Sequence, residues 1–317
     1  MIRYILLLSF VQILTSCHTS KRQAMTTTFE LGPQDITVQV EPDVFIRGTL
    51  EYANTQQLVI FIAGSGPTDR NCNSSMGLQT DAFKMLASHL QSQGISSYRY
   101  DKRGIAASTP VEEAELTYDI FVADAVKLVE HFAPNFDRIS ILGHSEGATI
   151  GSQASQSEAV HSFISVSGAS IPLHEVIIDQ LENTPKLLPA ARRHFDELLA
   201  GDTLSDVNPM LASLFRPSVL PFLRTAMAVD PATEVSKLSK PVLFIGGKCD
   251  LQVPYNHASQ LHNSLASSEL ALIDNMGHCM KSLKADCSNA MMAYQEAALP
   301  LHADFQAKVV SFLKSCS

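Results

Sequence analysis

The pentapeptide Gly143-His144-Ser145-Glu146-Gly147 directly follows the apolar run Arg138-Ile139-Ser140-Ile141-Leu142. A serine between two glycines at the end of a strand sits on a sharp, strained turn that lifts its hydroxyl clear of a sheet. The small residues Ala148, Gly151 and Ala154 then suit a closely packed helix. A serine hydroxyl is a poor nucleophile at neutral pH and needs a base within hydrogen-bond reach. Of eleven histidines, His278 stands out because it lies just past an apolar strand, in Asp274-Asn275-Met276-Gly277-His278. His144 is nearer in sequence, but neighbours on a tight turn point apart, so a structural role is expected for it. His89 and His131 fall on predicted helices and are expected at the surface or half-buried.

An imidazole acting as base needs a carboxylate to fix its tautomer and to stabilise the imidazolium. Asp250 follows the strand Val242–Ile245 within Gly246-Gly247-Lys248-Cys249-Asp250-Leu251-Gln252-Val253-Pro254. Asp101, after the strand ending at Tyr100, is the competitor, and Asp274 lies too close to a strand end to be favoured. A tetrahedral intermediate would also need two donors for its oxyanion. The backbone N–H of Glu146 is one candidate. The N–H of Ser65, in Gly64-Ser65-Gly66-Pro67-Thr68-Asp69-Arg70, is the other. That loop could instead be a phosphate-binding turn, but it has neither G-x-G-x-x-G nor a P-loop lysine.

The elements that must position these residues alternate between strand-like and helix-like runs, which argues for a parallel sheet covered on both faces. Ile36–Val40 and Val44–Tyr52 alternate polar and apolar residues, as a half-exposed antiparallel edge does. Leu58–Ala63 is continuously apolar, as a strand buried on both faces should be. Asp81–Gln93 reads as a helix with Ala82, Met85, Leu86 and Leu90 along one side. Ile95–Tyr100 is the next strand, and Asp119–Phe132 the next helix, with Val122, Val126, Val129 and Phe132 inward. A short helix and the strand Phe163–Ser167 follow Ser145. From about Ile171 to Asp230 the alternation stops. This stretch is helical in character and interrupted by Pro185, Pro189, Pro209, Pro217, Pro221 and Pro231, and it is expected to be a lid inserted into the main domain. Strands resume at Val242–Ile245 and Leu270–Ile273, and a last amphipathic helix carries Phe305, Val309 and Phe312.

A chain of 317 residues suits one large α/β domain with an insertion. The formal net charge of −9 argues against a nucleic-acid partner. Arg3 is the only charge before the apolar stretch Ile5–Leu14, which is shorter than the ~20 residues a membrane span needs. The tetrapeptide Leu14-Thr15-Ser16-Cys17 resembles the lipobox of bacterial lipoprotein signal peptides. Residues 1–16 are therefore expected to be a cleaved signal, Cys17 the lipidated N-terminus, 17–30 a linker and 31–317 the folded domain, with the lid at about 171–230. This implies an exported protein anchored to a bacterial membrane, facing the periplasm or exterior. An ordinary secretory signal is the alternative. Export matters for Cys72, Cys249, Cys279, Cys287 and Cys316, since an odd number leaves at least one without an intrachain partner. Cys279 and Cys287 are close enough in sequence to close a small loop. No zinc-type spacing is present, and neither metal nor cofactor is expected.

Taken together, the chain resembles the α/β-hydrolase fold family, in the bacterial esterase branch related to serine aminopeptidase-like hydrolases. The resemblance rests on Gly64–Arg70, Asp101-Lys102-Arg103-Gly104, Gly143–Gly147, Lys240-Pro241-Val242-Leu243 with Asp250–Pro254, and Gly277-His278. The order Ser145, Asp250, His278 is the nucleophile, acid, base order of that fold. The resemblance implies a mostly parallel central sheet with helices on both faces and a helical lid. It also implies cofactor-free cleavage of small-molecule esters, usually of short acyl chains, through an acyl-serine. Asp69, Arg70, Asp101 and Arg103 match positions that brace the oxyanion loop by ion pairs. Two departures are visible: Ala63 stands where many relatives have histidine, and Cys249 and Cys279 flank the acid and the base. The same fold could instead cleave thioesters or amides, and an aminopeptidase would need carboxylates such as Asp179, Glu182, Asp196 or Glu197 for the substrate amine. A reading of another class is a lipid-anchored binding protein that has lost activity.

Overall fold

The computed structural model describes residues 28–182 and 184–316. The expected signal segment and Cys17 lie outside the described residues. Strand β1 (Gly32–Glu41) pairs antiparallel with β2 (Val44–Tyr52), and β3 (Gln57–Ile62) follows. A two-residue-per-strand hairpin, β4 (Asn73–Ser74) and β5 (Leu78–Gln79), precedes helix α1 (Ala82–Ser92) and strand β6 (Ser96–Tyr100). Next come α2 (Tyr118–Phe132), β7 (Arg138–His144), α3 (Glu146–Ala154) and β8 (Val160–Val166). The large sheet has eight strands in the order β1-β2-β6-β3-β7-β8, continued by β9 (Val242–Gly247) and β10 (Glu269–Ile273). Within this sheet, among the described residues, only the pairings of β1 with β2 and of β2 with β6 are antiparallel.

Period-two alternation sends β3 side chains into two separate cores. Leu58, Ile60 and Ile62 pack on one face with Phe121, Leu128 and Phe132 of α2 and with Ile150 of α3. Val59 and Phe61 pack on the other with Phe83, Leu86 and Leu90 of α1 and with Phe305, Val309 and Phe312 of α9 (Ala303–Ser315). The inner stripe of α2 differs from the expected one. Val129 and Phe132 are buried as expected, together with Phe121, Ala125 and Leu128, whereas Val122 and Val126 are only half-buried. The larger aromatic rings take the core-facing side, and the valine pair lies one position around the helix.

The chain winds from β3 through α1 to β6 on one side and through α2 to β7 on the other. The loops leaving β3 and β7 therefore diverge, and the carboxyl ends of these neighbouring strands open a crevice.

Between β8 and β9 lies a helical insertion made of α4 (Leu173–Gln180), α5 (Leu188–Ala200), α6 (Leu220–Met227) and α7 (Pro231–Ser236). It has a small apolar core of its own, in which Phe195, Leu211, Phe215, Leu223 and Met227 are all buried. Pro189, Pro221 and Pro231 sit in the first turns of α5, α6 and α7. The prolines that look like interruptions in the sequence are thus helix starts, where a missing N–H costs nothing. Helix α8 (Asn256–Ser264) bridges β9 and β10, and residues 281–302 form a strap between His278 and α9. Among the described residues no helix is long and apolar enough to cross a membrane.

Candidate active site

Ser145 holds φ 55° and ψ −124°, a backbone conformation that L-residues avoid. The sequence tolerates it because of what flanks it. A Cβ on Gly143 would lie 2.2 Å from the Gly147 carbonyl oxygen, and one on Gly147 would lie 2.3 Å from the Ile62 carbonyl oxygen. Only glycine lets α3 start this close to β3 and β7. The Ser145 N–H donates to the Val166 carbonyl at 2.9 Å, which ties the turn to the next strand.

The structure brings Asp250 and His278 together. His278 Nδ1 lies 2.8 Å from Asp250 Oδ2 and 3.1 Å from Oδ1. Oδ1 also accepts the N–H groups of Gln252 and Val253, both at 2.9 Å, so one carboxylate oxygen shapes its own loop while the other serves the imidazole. Burial raises the Asp250 pKa, but the adjacent His278, the Val253 N–H and the Ser167 hydroxyl outweigh it, and the carboxyl is held below its usual range. With Nδ1 engaged, Nε2 is the nitrogen left for proton transfer. Ser145 and His278 line the same cavity of 530 Å³. Their side chains share no hydrogen bond in this conformation, and catalytic hydrogen bonds in ligand-free sites commonly tighten only around the reacting substrate.

His144 is structural. Its Nε2 bonds the His278 carbonyl oxygen at 2.8 Å, its ring lies 4.7 Å from that of His278, and its Nδ1 is buried without a partner. Burial and the neighbouring His278 push its pKa down to about 3, so it is neutral across the physiological range. It buttresses the backbone of His278.

The competing acids are occupied elsewhere. Asp101 accepts Arg70 Nη2 at 2.7 Å and the Arg70 amide at 2.8 Å, while Asp274 pairs with Lys248 on the surface. Arg103 binds the buried Asp124 at 2.6 Å and Glu41 at 2.8 Å. Asp69 caps its own loop by accepting the N–H groups of Asn71 and Asn73. Asp179, Glu182 and Asp196 are exposed on the insertion, and Glu197 pairs with Arg193 and His194. None of these four lines the cavities at Ser145.

The peptide of Ser65 lies beside the nucleophile, and a Cβ on Gly64 would stand 3.2 Å from Ser145 Cβ. As the first residue of α3, Glu146 has an N–H with no intrahelical acceptor. Both amides are therefore at hand for charge that develops next to Ser145. Sequence reasoning missed Lys102. Its buried Nζ donates to the Gly64 carbonyl at 2.6 Å and reaches Glu146 Oε1 at 3.3 Å. The signal was its place inside Asp101–Gly104, between two residues already singled out.

The expected Cys279–Cys287 loop is replaced by a Cys249–Cys287 disulfide with Cα atoms 5.4 Å apart. Cys279 follows His278 into the interior and stays a buried thiol, as does Cys72, while the strap carries Cys287 over the acid loop. Among the described residues no group of three or more His, Cys, Asp or Glu side chains is placed to hold a metal ion.

A strained serine at the β3/β7 crevice with an Asp-fixed histidine across one cavity defines a hydrolase-type site on a doubly wound sheet. The fold is that of the α/β-hydrolases. A family model described as serine aminopeptidase, S33, matches residues 75–184, and one described as TAP-like protein matches residues 222–295. The chain is 27% identical over 241 residues to esterase EstD of Thermotoga maritima, a match covering 71% of this chain and 54% of the relative. It thus spans about half the length of that protein. It is 24% identical over 212 residues to the putative carbamate hydrolase RutD of Agrobacterium fabrum, covering 61% of this chain and 79% of the relative. An esterase structure from Pyrococcus furiosus superposes with a TM-score of 0.63 at 16% identity, covering 90% of this chain and 91% of that one.

Proposed function

We propose that this protein is a serine carboxylesterase. Ser145 Oγ attacks the ester carbonyl carbon while its proton passes to His278 Nε2, and Asp250 Oδ2 stabilises the imidazolium. The Ser65 and Glu146 amides receive the oxyanion. Collapse breaks the bond to the alcohol, which takes the proton from His278. Water then gives a proton to His278 as it attacks the acyl-serine, and collapse releases the acid while Ser145 Oγ takes the proton back from His278. The observation that carries this reading is the convergence of the strained Ser145 and the Asp250-bound His278 on one cavity.

Two arms meet at Ser145, and the chemistry gives each a role. The leaving alcohol must lie where His278 can protonate it, and His278 lines only the arm bounded by Leu251, Met291 and Tyr294. The acyl group then occupies the other arm, a 560 Å³ cavity between the sheet and the insertion, walled by Phe121, Val176, Phe222, Leu223 and Ala226. At roughly 30 Å³ per heavy atom, taking liquid water as the yardstick, a butyryl group fills well under half of it. The substrate class we assign is an ester of a medium-length or bulky apolar acid, with the insertion as its lid. The test is an acetate-to-decanoate p-nitrophenyl series on wild type, Ser145→Ala and Ala226→Trp. Activity should rise beyond butyrate, vanish in Ser145→Ala, and shift to shorter esters in Ala226→Trp. Retention of most of the rate by Ser145→Ala would sink the mechanism, and a peak at acetate unmoved by Ala226→Trp would sink the acyl assignment.

The lipid anchor at Cys17 belongs to the same proposal, with the protein exported and held at a membrane. The Cys249–Cys287 crosslink supports export, since disulfides persist in oxidising compartments. Labelled fatty acid should enter the wild-type protein and be absent from Cys17→Ala.

A further inference from the structure

Lys102 is an unusual lysine. Its side chain is 4% exposed and borders the acyl-side cavity beside Ser145 and Glu146. Three contacts fix it: the Gly64 carbonyl at 2.6 Å, Glu146 Oε1 at 3.3 Å, and the face of the Phe121 ring, 5.5 Å from its centroid. Two of these contacts involve the residues that bear on the oxyanion. The Gly64 carbonyl and the Ser65 N–H belong to one planar peptide unit, with the two bonds on opposite sides. Pulling the carbonyl toward Lys102 therefore sets the direction in which the Ser65 N–H points. A charge-assisted bond to the carbonyl also polarises that peptide and makes its N–H a stronger donor. Glu146, whose own N–H is the second donor, is held through its carboxylate by the same ammonium.

We infer that Lys102 is the positioning residue of the oxyanion hole, a single buried cation that aims both donor peptides at the tetrahedral intermediate. This rests on the ester-hydrolysis reading. Because Lys102 and Glu146 form a neutral pair, the contribution is chiefly orientation and polarisation, with little net charge. The Lys102 ammonium is engaged by Gly64 and Glu146, so its effect belongs to kcat and to tetrahedral adducts; its stem borders the acyl cavity, and methionine keeps an apolar stem of similar length there, so KM is little changed.

The experiment compares wild type, Lys102→Met and Lys102→Met/Glu146→Gln. The double variant removes both charges together, so that no unpaired carboxylate is left buried to destabilise the fold. Kinetics on p-nitrophenyl butyrate are read beside the affinity of an alkyl boronic acid, which forms a tetrahedral adduct on Ser145. The expected result in the double variant is a kcat lowered by about 10²-fold, KM within about threefold, boronate affinity weakened in parallel, and an unchanged thermal midpoint. A kcat retained within about threefold, or a fall in kcat with boronate affinity untouched, overturns the inference. A wild-type protein that neither turns over the ester nor binds the boronate overturns the parent reading instead.

Discussion

The crest of loops around Ser145 and the helical insertion that faces it are built on opposite principles. At the crest, backbone meets backbone: Gly147 stands so close to β3 that a single added carbon would strike the Ile62 carbonyl, and buried charges such as Arg70–Asp101 and Arg103–Asp124 stitch the loops together. In the insertion, α5 and α6 are held chiefly by apolar side chains, Phe195, Leu223 and Met227 with Phe215 between them, together with the Arg224 guanidinium on the Leu198 carbonyl. Gly201, at the end of α5, has open space where a Cβ would go. A crest of this kind fixes atoms for chemistry, whereas packing of the second kind accepts many apolar sequences and leaves room to change what the cavity admits.

The contrast can be tested at several levels. The largest effect should come from Asp250→Asn. Asparagine keeps an oxygen for the Gln252 and Val253 amides but presents donors to His278 and selects the wrong tautomer. Steady-state kinetics should show kcat down by about 10⁴-fold with the unfolding midpoint little changed, and a loss under tenfold would remove Asp250 from the mechanism. Next comes one substitution made in both regions. Gly147→Ala should cost about 3 kcal/mol in urea unfolding, whereas Gly201→Ala, strained only by its φ of 84°, should cost about 1 kcal/mol. Equal costs would erase the distinction between the regions.

The effect that is smallest near neutral pH, and grows only on acidification, is a pH dependence at His144. Its folded pKa, about 3, lies below the unfolded value, so between these two the unfolded chain binds the extra proton and stability falls as pH falls. Relative to His144→Gln, wild type should lose about 1.4 kcal/mol per pH unit below about pH 6.5. Parallel stability curves for the two proteins would show that His144 is not held neutral.

The same division explains what could be read from the chain. Ser145, its flanking glycines and the apolar β3 were legible because strained turns and doubly buried strands admit few residue types. Asp250 and His278 were legible as loop residues at neighbouring strand ends, and the structure places Asp250 against His278. Half of the inner face of α2, Val129 and Phe132, was legible; Val122 and Val126 were not, because two adjacent apolar stripes compete and only the shape of the sheet selects the one with Phe121 and Leu128. The disulfide was misassigned because sequence distance says nothing about where a strap returns. Cys287 comes back over the loop after β9. Lys102 was passed over because a lysine in a loop reads as solvated until a carbonyl and a carboxylate are seen closing around it.

The Cys249–Cys287 crosslink joins residues 38 apart in sequence, and the span it encloses contains Asp250, all of β10 and His278. Asp250 and His278, the proposed acid and base, are therefore beads on one covalent ring, and Ser145, the proposed nucleophile, stands outside it. Heat or denaturant can scatter the nucleophile from its partners, but it cannot let the other two drift apart by more than that ring allows.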